Sequence, residues 1–385
     1  MRKVVLGDVV KINPATKVTK GQLVKFISMD KLDPFTKTPN GYEKKKFSSG
    51  KKFTNGDTLL ARITPCLENG KTAFVDFLDD LEVAAGSTEF VILRNIEGLT
   101  DPAYIYYLSI SPAFRDYAIK SMVGTSGRQR VQNDVLAKME LSLPPLDQQK
   151  KIANILGSLD EKIELNRRMN EALEQLGQAL FRHYFVDNPE ANSWDDVKVG
   201  ELVDIKGGGT PSTKNSSFWG GDIVWSSPRD LANQKCHFLM RTDKTITKQG
   251  LSKISSGMLP AGTLLLSSRA PIGYIAFAGV DMAINQGYIA FLPKAKLSNY
   301  FMYFWLKNNI QKIKDSANGS TFLEISKTAF RNIYIKQPNQ LLHNKFQYES
   351  MIILDKIRDN EAEIYNLTSL RDSLLPKLIS GEVIL

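Results

Sequence analysis

The sequence predicts an α+β protein with two similar globular domains and two long antiparallel helices that form a coiled coil, as an internal pseudo-twofold repeat. Three observations indicate this fold: a long helical pattern in the middle of the chain, a second one near its C-terminus, and similar segments before both. The predicted segments are a first globular domain at 1–143, a central helix at 144–188, a second globular domain at 189–338 and a C-terminal helix at 339–385.

The central helix shows apolar residues at alternating spacings of four and three, which is the pattern of a helix packed on another helix. Pro144 and Pro145 precede the pattern, Asp147 can cap its N-terminus, and Asp187-Asn188-Pro189 follows it. A helix over residues 147 to 183 would be about 55 Å long. The seam predicted on this helix comprises Ile152, Leu156, Leu159, Ile163, Asn166, Leu173 and Leu180.

The C-terminal helix repeats this seam, because Phe346 lies 194 residues after Ile152 and the later positions keep the same offset. Asn166 falls on Asn360. An asparagine is costly in an apolar seam unless it is paired, so we expect these two to meet in an antiparallel helix pair. Pro376 should stop or kink the helix. The second seam comprises Phe346, Ile353, Ile357, Asn360, Ile364, Leu367 and Leu374.

The segments before the two helices are also similar. At the offset of 194, residues 124–144 (GTSGRQRVQNDVLAKMELSLP) align with residues 318–338 (NGSTFLEISKTAFRNIYIKQP). An aromatic-rich helical stretch precedes each of them, at 103–121 and 299–315, and short apolar strands come before that stretch in both halves. One unit is therefore written twice in the chain.

The composition excludes several classes of protein. Apolar runs such as Met258–Leu266 contain Pro and Gly and are too short to span a membrane, and no signal sequence is evident, so we expect a cytoplasmic protein. Cys66 and Cys236 lie in different halves and can form neither a disulfide framework nor a zinc site. The formal charge of +9 suits a polyanionic partner, although charge alone is a weak indicator.

Motifs for catalysis are largely missing. Asp33-Pro34-Phe35 lacks one proline of the amino-methyltransferase motif, and we expect a plain turn. Asp160-Glu161-Lys162 shares only its letters with a nuclease motif and should be ordinary helix surface. Gly207–Pro211 has no P-loop lysine, so a loop that contacts DNA backbone and one that contacts nothing both stay open. Packing or surface positions, without metal-ligand spacing, are expected for His183, His237 and His343.

Several stretches, in their order and duplication, resemble the specificity subunits of type I restriction-modification systems over essentially the whole chain. They are LPPLDQQKKIANILGSLDEKIELN (143–166), LFRHYF (180–185), LRDSLLPKLISGE (370–382), NGDTLLARITPCLENGK (55–71), AGSTEFVILR (85–94), GTSGRQRV (124–131) and GGGTPSTKNSSFWGGDIVW (207–225). The second half departs from the first at SRAPIG (268–273), a shortened loop, and at residues 319–321, which lack the Arg-Gln-Arg. The two halves should therefore read different sequences.

The resemblance implies that each globular domain is a target-recognition domain, which reads one half of a bipartite site on double-stranded DNA. The helix pair would set the spacer and dock two modification (methyltransferase) subunits, and a restriction (motor-nuclease) subunit would join them. The chain itself would be non-catalytic and hold no metal or cofactor. S-adenosylmethionine, Mg²⁺ and ATP are expected on the partner subunits.

DNA contacts are expected from basic and amide side chains in loops, because Arg pairs with guanine, Gln with adenine, and Thr and Lys with phosphate. Two other classes stay open: a self-sufficient DNA methyltransferase or nuclease, and a coiled-coil scaffold without DNA readout. The candidate residues are Arg62, Thr64, Lys71, Arg128, Gln129 and Arg130 in the first half, and Thr210, Ser212, Lys214, Arg229, Arg269, Asn285, Gln286, Ser320 and Thr321 in the second.

Overall fold

The chain forms two compact units in a computed structural model that describes residues 1–234, 236–269, 271–293, 295–318, 323–383 and 385. The first unit comprises Met1–Leu165 and Ile364–Leu385, and the second comprises Asn166–Glu363. Each unit thus contains one globular part and a segment of both long helices. This division differs from the predicted one, in which the helices at 144–188 and 339–385 were segments of their own.

The globular part of the first unit consists of short strands and helices. The helical stretch predicted at 103–121 is two helices, since the Ser111 side chain caps the second one by accepting from the Phe114 N–H, and Pro112 follows it. The elements are β1 (Arg2–Val5), α1 (Leu6–Val9), β2 (Val10–Ile12), β3 (Leu23–Ile27), β4 (Glu43–Lys46), β5 (Lys51–Phe53), β6 (Thr58–Ala61), β7 (Thr72–Phe74), β8 (Ala84–Gly86), β9 (Phe90–Asn95), α2 (Pro102–Ile110), α3 (Pro112–Lys120), β10 (Met122–Val123), β11 (Arg130–Val131), α4 (Asn133–Ala137) and β12 (Glu140–Leu143).

The sheet β2-β9-β6-β7 is the middle layer of this globular part. Successive side chains of a strand point to opposite faces, and β6 is buried on both. Leu59 packs in one core with residues of the sheet β4-β3-β8-β5, whereas Leu60 packs in another with α2 and the long helices. A two-stranded ribbon of β1 and β12 leads into the first long helix.

The second part of the chain repeats this plan. The first long helix, α5 (Leu146–Phe181), is followed by a π-helical segment at Arg182–Val186. The later elements are β13 (Asp196–Lys198), α6 (Val199–Leu202), β14 (Ile205–Lys206), β15 (Trp219–Ser226), α7 (Pro228–Gln234), β16 (Phe238–Leu239), β17 (Lys244–Ile246), α8 (Lys248–Leu251), β18 (Leu264–Ser267), β19 (Ile275–Ala278), β20 (Met282–Ile284), β21 (Tyr288–Phe291), α9 (Asn299–Asn308), α10 (Ile310–Asp315), α11 (Lys327–Arg331), β22 (Tyr334–Lys336) and α12 (Gln340–Ser380).

The topologies of the two globular parts correspond in the ribbon and in four strands of the larger sheet, whereas the smaller sheets have four and three strands. The ribbon β13-β22 matches β1-β12, and the sheet β14-β21-β18-β19 matches β2-β9-β6-β7, with β16 added at its edge. Each smaller sheet contains one parallel pair, β3 with β8 in the first unit and β15 with β20 in the second. The predicted α+β fold with an internal repeat is therefore confirmed. Among the described residues, no helix is long and apolar enough to cross a membrane.

The long helices are antiparallel, because low numbers on α5 meet high numbers on α12. In the second unit, the Asn166 side chain donates to Glu363 (2.8 Å) and the Asn360 side chain donates to Asn170 (2.8 Å). The predicted contact between Asn166 and Asn360 is wrong. Heptad spacing identified which residues face the partner helix, but each of these asparagines finds its polar partner about one turn from the expected one.

Two other positions of the helix pair behave differently from ordinary helix residues. α12 continues to Ser380 past Pro376, so the helix does not stop at this proline. On α5, Gly177 lies against the ring of Phe304, and a Cβ at this position would be 2.3 Å from the nearest ring atom. The glycine therefore allows the close approach of α9 to the helix, which explains its presence in the middle of a helix despite its low helix propensity.

We predict that the hydrogen bond between the Asn170 and Asn360 side chains stabilises the second unit. Asn170→Ala and Asn360→Ala should each lower the free energy of unfolding by roughly 1–2 kcal/mol, because the remaining amide loses its buried partner. The double variant should cost less than the sum, with a coupling of about 1 kcal/mol. Unfolding in urea followed by tryptophan fluorescence measures this, since Trp194, Trp219, Trp225 and Trp305, the four tryptophans of the chain, all lie in the second unit.

The matched control for this register is the pair Asn166→Ala and Asn360→Ala, whose effects should be closer to additive. A stronger coupling between Asn166 and Asn360 than between Asn170 and Asn360 would contradict the observed register.

Candidate nucleic-acid interface

Two loops of the first unit meet, and they bring together most of the DNA-contact residues predicted there. The backbone N–H of Thr64 donates to the carbonyl of Gln129 (3.0 Å), and that of Val131 donates to the carbonyl of Arg62 (2.9 Å). The Arg62 guanidinium also donates through Nη2 to the Val131 carbonyl (3.1 Å). Residues that are more than sixty positions apart in the sequence thus form one surface, which carries arginine, threonine and glutamine side chains.

Arg130 does not present a free guanidinium on this surface. Its Nη2 donates to Glu89 Oε1 (2.7 Å) and its Nε to Glu89 Oε2 (3.0 Å). The hydrogen bond from Arg130 holds the pKa of the Glu89 carboxyl below its usual range. Because Glu89 competes with any base for Arg130, the exposed Arg128 and the half-buried Gln129 are better placed to reach a DNA base.

Lys71 and Lys51 are two further basic residues of the first unit. Lys71, a predicted DNA contact, donates its Nζ to the backbone carbonyl of Met29 (3.0 Å), so it supports the local fold. Lys51 on β5 was not predicted, yet burial together with the positive charge of Arg62 lowers its pKa. Its position depends on the pairing of β5 with β8, and the sequence contains no signal that distinguishes it from the neighbouring lysines.

Two tryptophans hold the glycine-rich loop of the second unit. Trp225 Nε1 donates to the carbonyl of Gly209 (3.0 Å), and Trp219 Nε1 donates to the carbonyl of Ser212 (3.1 Å). The rings themselves are in edge-to-face contact at 5.1 Å between centroids. The two indole N–H groups therefore hold the backbone of the loop, and the Ser212 side chain stays exposed.

The glycine-rich loop lies beside the turn that follows β20, and this brings the predicted contacts Thr210, Asn285 and Gln286 together. Thr210 Oγ1 donates to Gln286 Oε1 (2.7 Å), and both side chains are exposed. Asn285 Oδ1 accepts from the backbone N–H of Gly287 (2.8 Å), which orients the turn. Gly208 is required here, because a Cβ would lie 1.9 Å from the carbonyl oxygen of Ile284.

The other predicted residues of the second unit are more scattered. Lys214 and Arg229 are exposed, and Arg229 lies near the start of α7. Arg269 is half-buried, with Nη1 at 3.7 Å from Glu324 Oε2. Ser320 and Thr321 lie outside the described residues.

A buried ionic cluster, which we call the His237 cluster, links the start of β16 to both long helices. His237 Nδ1 lies 2.8 Å from Glu361 Oε1 on α12, and its Nε2 lies 3.0 Å from Glu174 Oε2 on α5. The backbone N–H groups of His237 and Phe238 also donate to the Glu361 carboxylate, at 2.7 and 3.0 Å. This histidine, expected at a packing or surface position, is thus a charged anchor.

The protonation states of the cluster follow from these contacts. Burial alone would lower the pKa of His237, but its hydrogen bonds to Glu174 and Glu361 outweigh burial and raise the pKa to about 9. Burial would raise the pKa of Glu174, but His237 and Lys307 lower it to about 2. Tyr303 also donates its hydroxyl to Glu174 Oε1 (3.1 Å). His237 is therefore positively charged at neutral pH.

The two motifs weighed for catalysis in the sequence, at residues 160–162 and 33–35, lie on α5 and in a turn of the first unit. Asp160 is buried beside Arg371, with Oδ1 at 2.7 Å from Nη1, so the prediction of an ordinary helix surface for Asp160 is wrong. Asp33-Pro34-Phe35 forms an irregular turn with φ of +53° at Phe35. In the part of the chain that the structure describes, no group of three or more His, Cys, Asp or Glu side chains could hold a metal ion.

The duplicated fold and its two loop surfaces agree with a comparison of the sequence with known families. The family described as "Type I restriction modification DNA specificity domain" matches the chain over residues 1–175 and again over residues 192–368. The chain belongs to this family. The two matched segments coincide with the two repeats, and the resemblance noted in the sequence is confirmed.

Individual specificity subunits are similar to this chain. The specificity subunit of the type I restriction enzyme HindI of Haemophilus influenzae is 26% identical over 408 aligned residues, which cover 86% of this chain and 88% of that protein. The MjaIX specificity subunit of Methanocaldococcus jannaschii is 35% identical over 174 residues, 44% of this chain and 40% of the relative. The crystal structure of the type I S subunit from M. genitalium has the same fold, with a TM-score of 0.61, 16% identity and coverage of 98% and 96%.

We predict that the second unit becomes less stable in alkali through the His237 cluster. The pKa of His237 is raised on folding from 6.5 to about 9, so its stabilisation is fully present below pH 6.5 and is lost as the pH rises through about 9. Between pH 6.5 and 9.5 the wild type should lose roughly 2 kcal/mol more than His237→Gln. Urea unfolding followed by tryptophan fluorescence measures the difference.

The control for this prediction is His183→Gln, at an exposed histidine of the same unit, which should keep the pH dependence of the wild type. An equal pH dependence in the wild type and His237→Gln would show that His237 is not a charged anchor.

Proposed function

We propose that this chain is the non-catalytic DNA-specificity subunit of a type I restriction-modification complex, and that each unit reads one half of a bipartite site on double-stranded DNA. The observation that carries the proposal is the duplicated family match, together with a polar loop surface in each unit. The names of the similar proteins, all specificity subunits of type I restriction enzymes, support it.

The side chains on the two loop surfaces suit DNA readout. In the first unit, Arg128 can pair with guanine and Gln129 with adenine in the major groove. In the second unit, Thr210 and Gln286 are exposed and already joined by a hydrogen bond, so Gln286 can turn its amide towards a base while Thr210 contacts phosphate. The two surfaces are formed by different loops of the repeat and carry different side chains, so they should read different half-sites.

We propose that the helix pair sets the spacer between the half-sites and docks two modification subunits, after which the restriction subunit joins. At ~1.5 Å per residue, α5 and α12 are about 54 and 62 Å long, against ~34 Å for one turn of DNA. Leu341, Tyr348 and Ile352 are exposed on one face of α12 in the second unit. An apolar stripe of this kind suits a partner helix.

The chemistry of the complex is proposed to lie on the partner subunits. Methyl transfer from S-adenosylmethionine would take place there, after the target adenine is flipped out of the duplex, and Mg²⁺ and ATP would act on the restriction subunit. This chain needs only to hold the DNA in register. A complex that acts on DNA in this way is expected in the cytoplasm.

The half-site assignment predicts separable effects of two variants. We expect Gln129→Ala to reduce discrimination against DNA with a substituted first half-site by about tenfold, and Gln286→Ala to do so only for the second half-site, because a bidentate contact to a base is worth roughly 1–3 kcal/mol. The measurement is the Kd of the complex with modification subunits, at fixed salt, for the cognate DNA and for DNA with either half substituted. Methylated sites mapped in host DNA define the cognate sequence.

Each variant is the control for the other. The affinity of the wild-type complex for DNA should fall steeply with rising salt, whichever half-site is substituted, since phosphate contacts release counterions. If both variants weaken both half-sites equally, or if the wild-type complex shows no sequence preference, the assignment fails.

A further inference from the structure

A buried ion pair joins the two long helices in the first unit. Arg371 Nη1 on α12 lies 2.7 Å from Asp160 Oδ1 on α5, and the two side chains are only 4% and 5% exposed. Tyr107 on α2 donates its hydroxyl to Asp160 Oδ2 (2.8 Å). Arg371 also donates through Nε and Nη2 to Asp372 Oδ1, at 2.9 and 2.8 Å. Both oxygens of Asp160 are therefore engaged, and the guanidinium is held in a fixed orientation.

The same guanidinium reaches the globular part of the first unit. Arg371 Nη1 donates to the backbone carbonyl of Phe35 (3.3 Å). Phe35 has φ of +53°, a conformation that is costly for a residue with a Cβ and that persists only where the surroundings fix it. The contact with Arg371 is one of those that hold this turn.

Phe35 in turn contacts the loop that carries the predicted DNA contacts of the first unit. Its backbone N–H donates to the carbonyl of Gly70 (3.0 Å). Its ring covers Gly70 so closely that a Cβ there would lie 2.5 Å from the ring. The Arg115 guanidinium lies 4.7 Å from the centroid of the Phe35 ring and donates to the carbonyls of Leu67 (3.3 Å) and Glu68 (2.9 Å).

The loop is thus held at both ends. Residues 67–70 rest on Phe35 and Arg115, while Thr64 at the other end pairs with Gln129. A shift of Phe35 would move residues 67–70, and through them Thr64 and the backbone of Gln129. A displacement of about 1 Å is enough to spoil a contact that depends on orientation.

The second unit has no equivalent of this arrangement at the repeated positions. The offset of 194 places Gly177 where the first unit has Arg371, and Leu354 where it has Asp160. Gly177 lies against the ring of Phe304, and Leu354 is fully buried in an apolar core. The polar link between helix pair and reading loop therefore belongs to the first unit, and the half-site of the second unit becomes an internal control.

We propose that Arg371 is a positioning residue for the first half-site: through the Phe35 carbonyl it fixes the loop Ile63–Lys71 on the helix pair. This inference rests on the proposed function of the chain. Arg371 on α12 lies outside the loop surface and would still contribute to recognition. The turn at Asp33-Pro34-Phe35 would contribute in the same way.

Arg371→Lys is the first variant to test. A lysine keeps the positive charge opposite Asp160, but its single ammonium group cannot reach Asp160, Phe35 and Asp372 with the geometry of a guanidinium. Phe35→Ala is the second variant, because it removes the ring from Gly70 and Arg115 and leaves the ion pair alone. Arg358→Lys is the matched control, since Arg358 on the same helix is half-exposed and pairs with Asp355 and Asp359 on its own helix.

The experiment measures Kd for the complex with modification subunits, on cognate DNA and on DNA with the first or the second half-site substituted. We expect Arg371→Lys and Phe35→Ala each to reduce discrimination at the first half-site by about tenfold, with discrimination at the second half-site within twofold of wild type. The double variant should lose no more than the stronger single one, because both act through one path. Arg358→Lys should equal wild type.

Three outcomes would overturn the inference. Arg371→Lys could lower the melting temperature and leave both discriminations intact, which would make Arg371 purely structural. It could weaken both half-sites equally, as a general loss of folding or of subunit docking would. If the wild-type complex itself shows no discrimination at either half-site, the proposed function fails and the inference fails with it. If the wild type discriminates and both variants keep this discrimination, only the inference is contradicted.

Discussion

The antiparallel pairing of α5 and α12 is the constraint on which each unit depends. In the first unit, Ile152 and Leu156 of α5 share one core with Leu375 and Leu378 of α12 and with the aromatic residues of α2. In the second, Phe181 of α5 and Phe346 of α12 share a core with α9. Each globular part therefore completes its core only with helix segments from two distant regions of the chain, so each unit folds around its own segments of the two long helices.

The two units share the ribbon and four strands of the larger sheet, and they differ in their polar anchors. Apolar positions of the repeat fill equivalent places, whereas the first unit attaches its globular part through Asp160 and Arg371, and the second through His237 between two glutamates. A buried charge that loses its partner costs several kcal/mol, so each cluster is kept or lost as a whole. The repeated unit therefore occurs with two different polar anchors and two different loop surfaces.

The sequence predicted the parts of the fold that depend on periodicity. The heptad pattern predicted α5 to within two residues at both ends, and the offset of 194 predicted the matching topologies. It could not predict that Asn360 meets Asn170, because periodicity identifies the buried face and leaves the opposite residue open. The pairing of Arg62 with Val131, the capture of Arg130 by Glu89 and the anchors at His237 and Arg371 depend on tertiary contacts between distant residues, for which a single sequence contains no signal.

The proposed function requires each unit to read one half-site independently of the other. The most direct measurement exchanges residues 1–143 for the corresponding globular domain of a family member with a different site, and maps the methylated sites in host DNA by sequencing. We expect one half-site to change to that of the donor, while the other half-site and the spacer length stay the same. A change in both half-sites, or in neither, would contradict it.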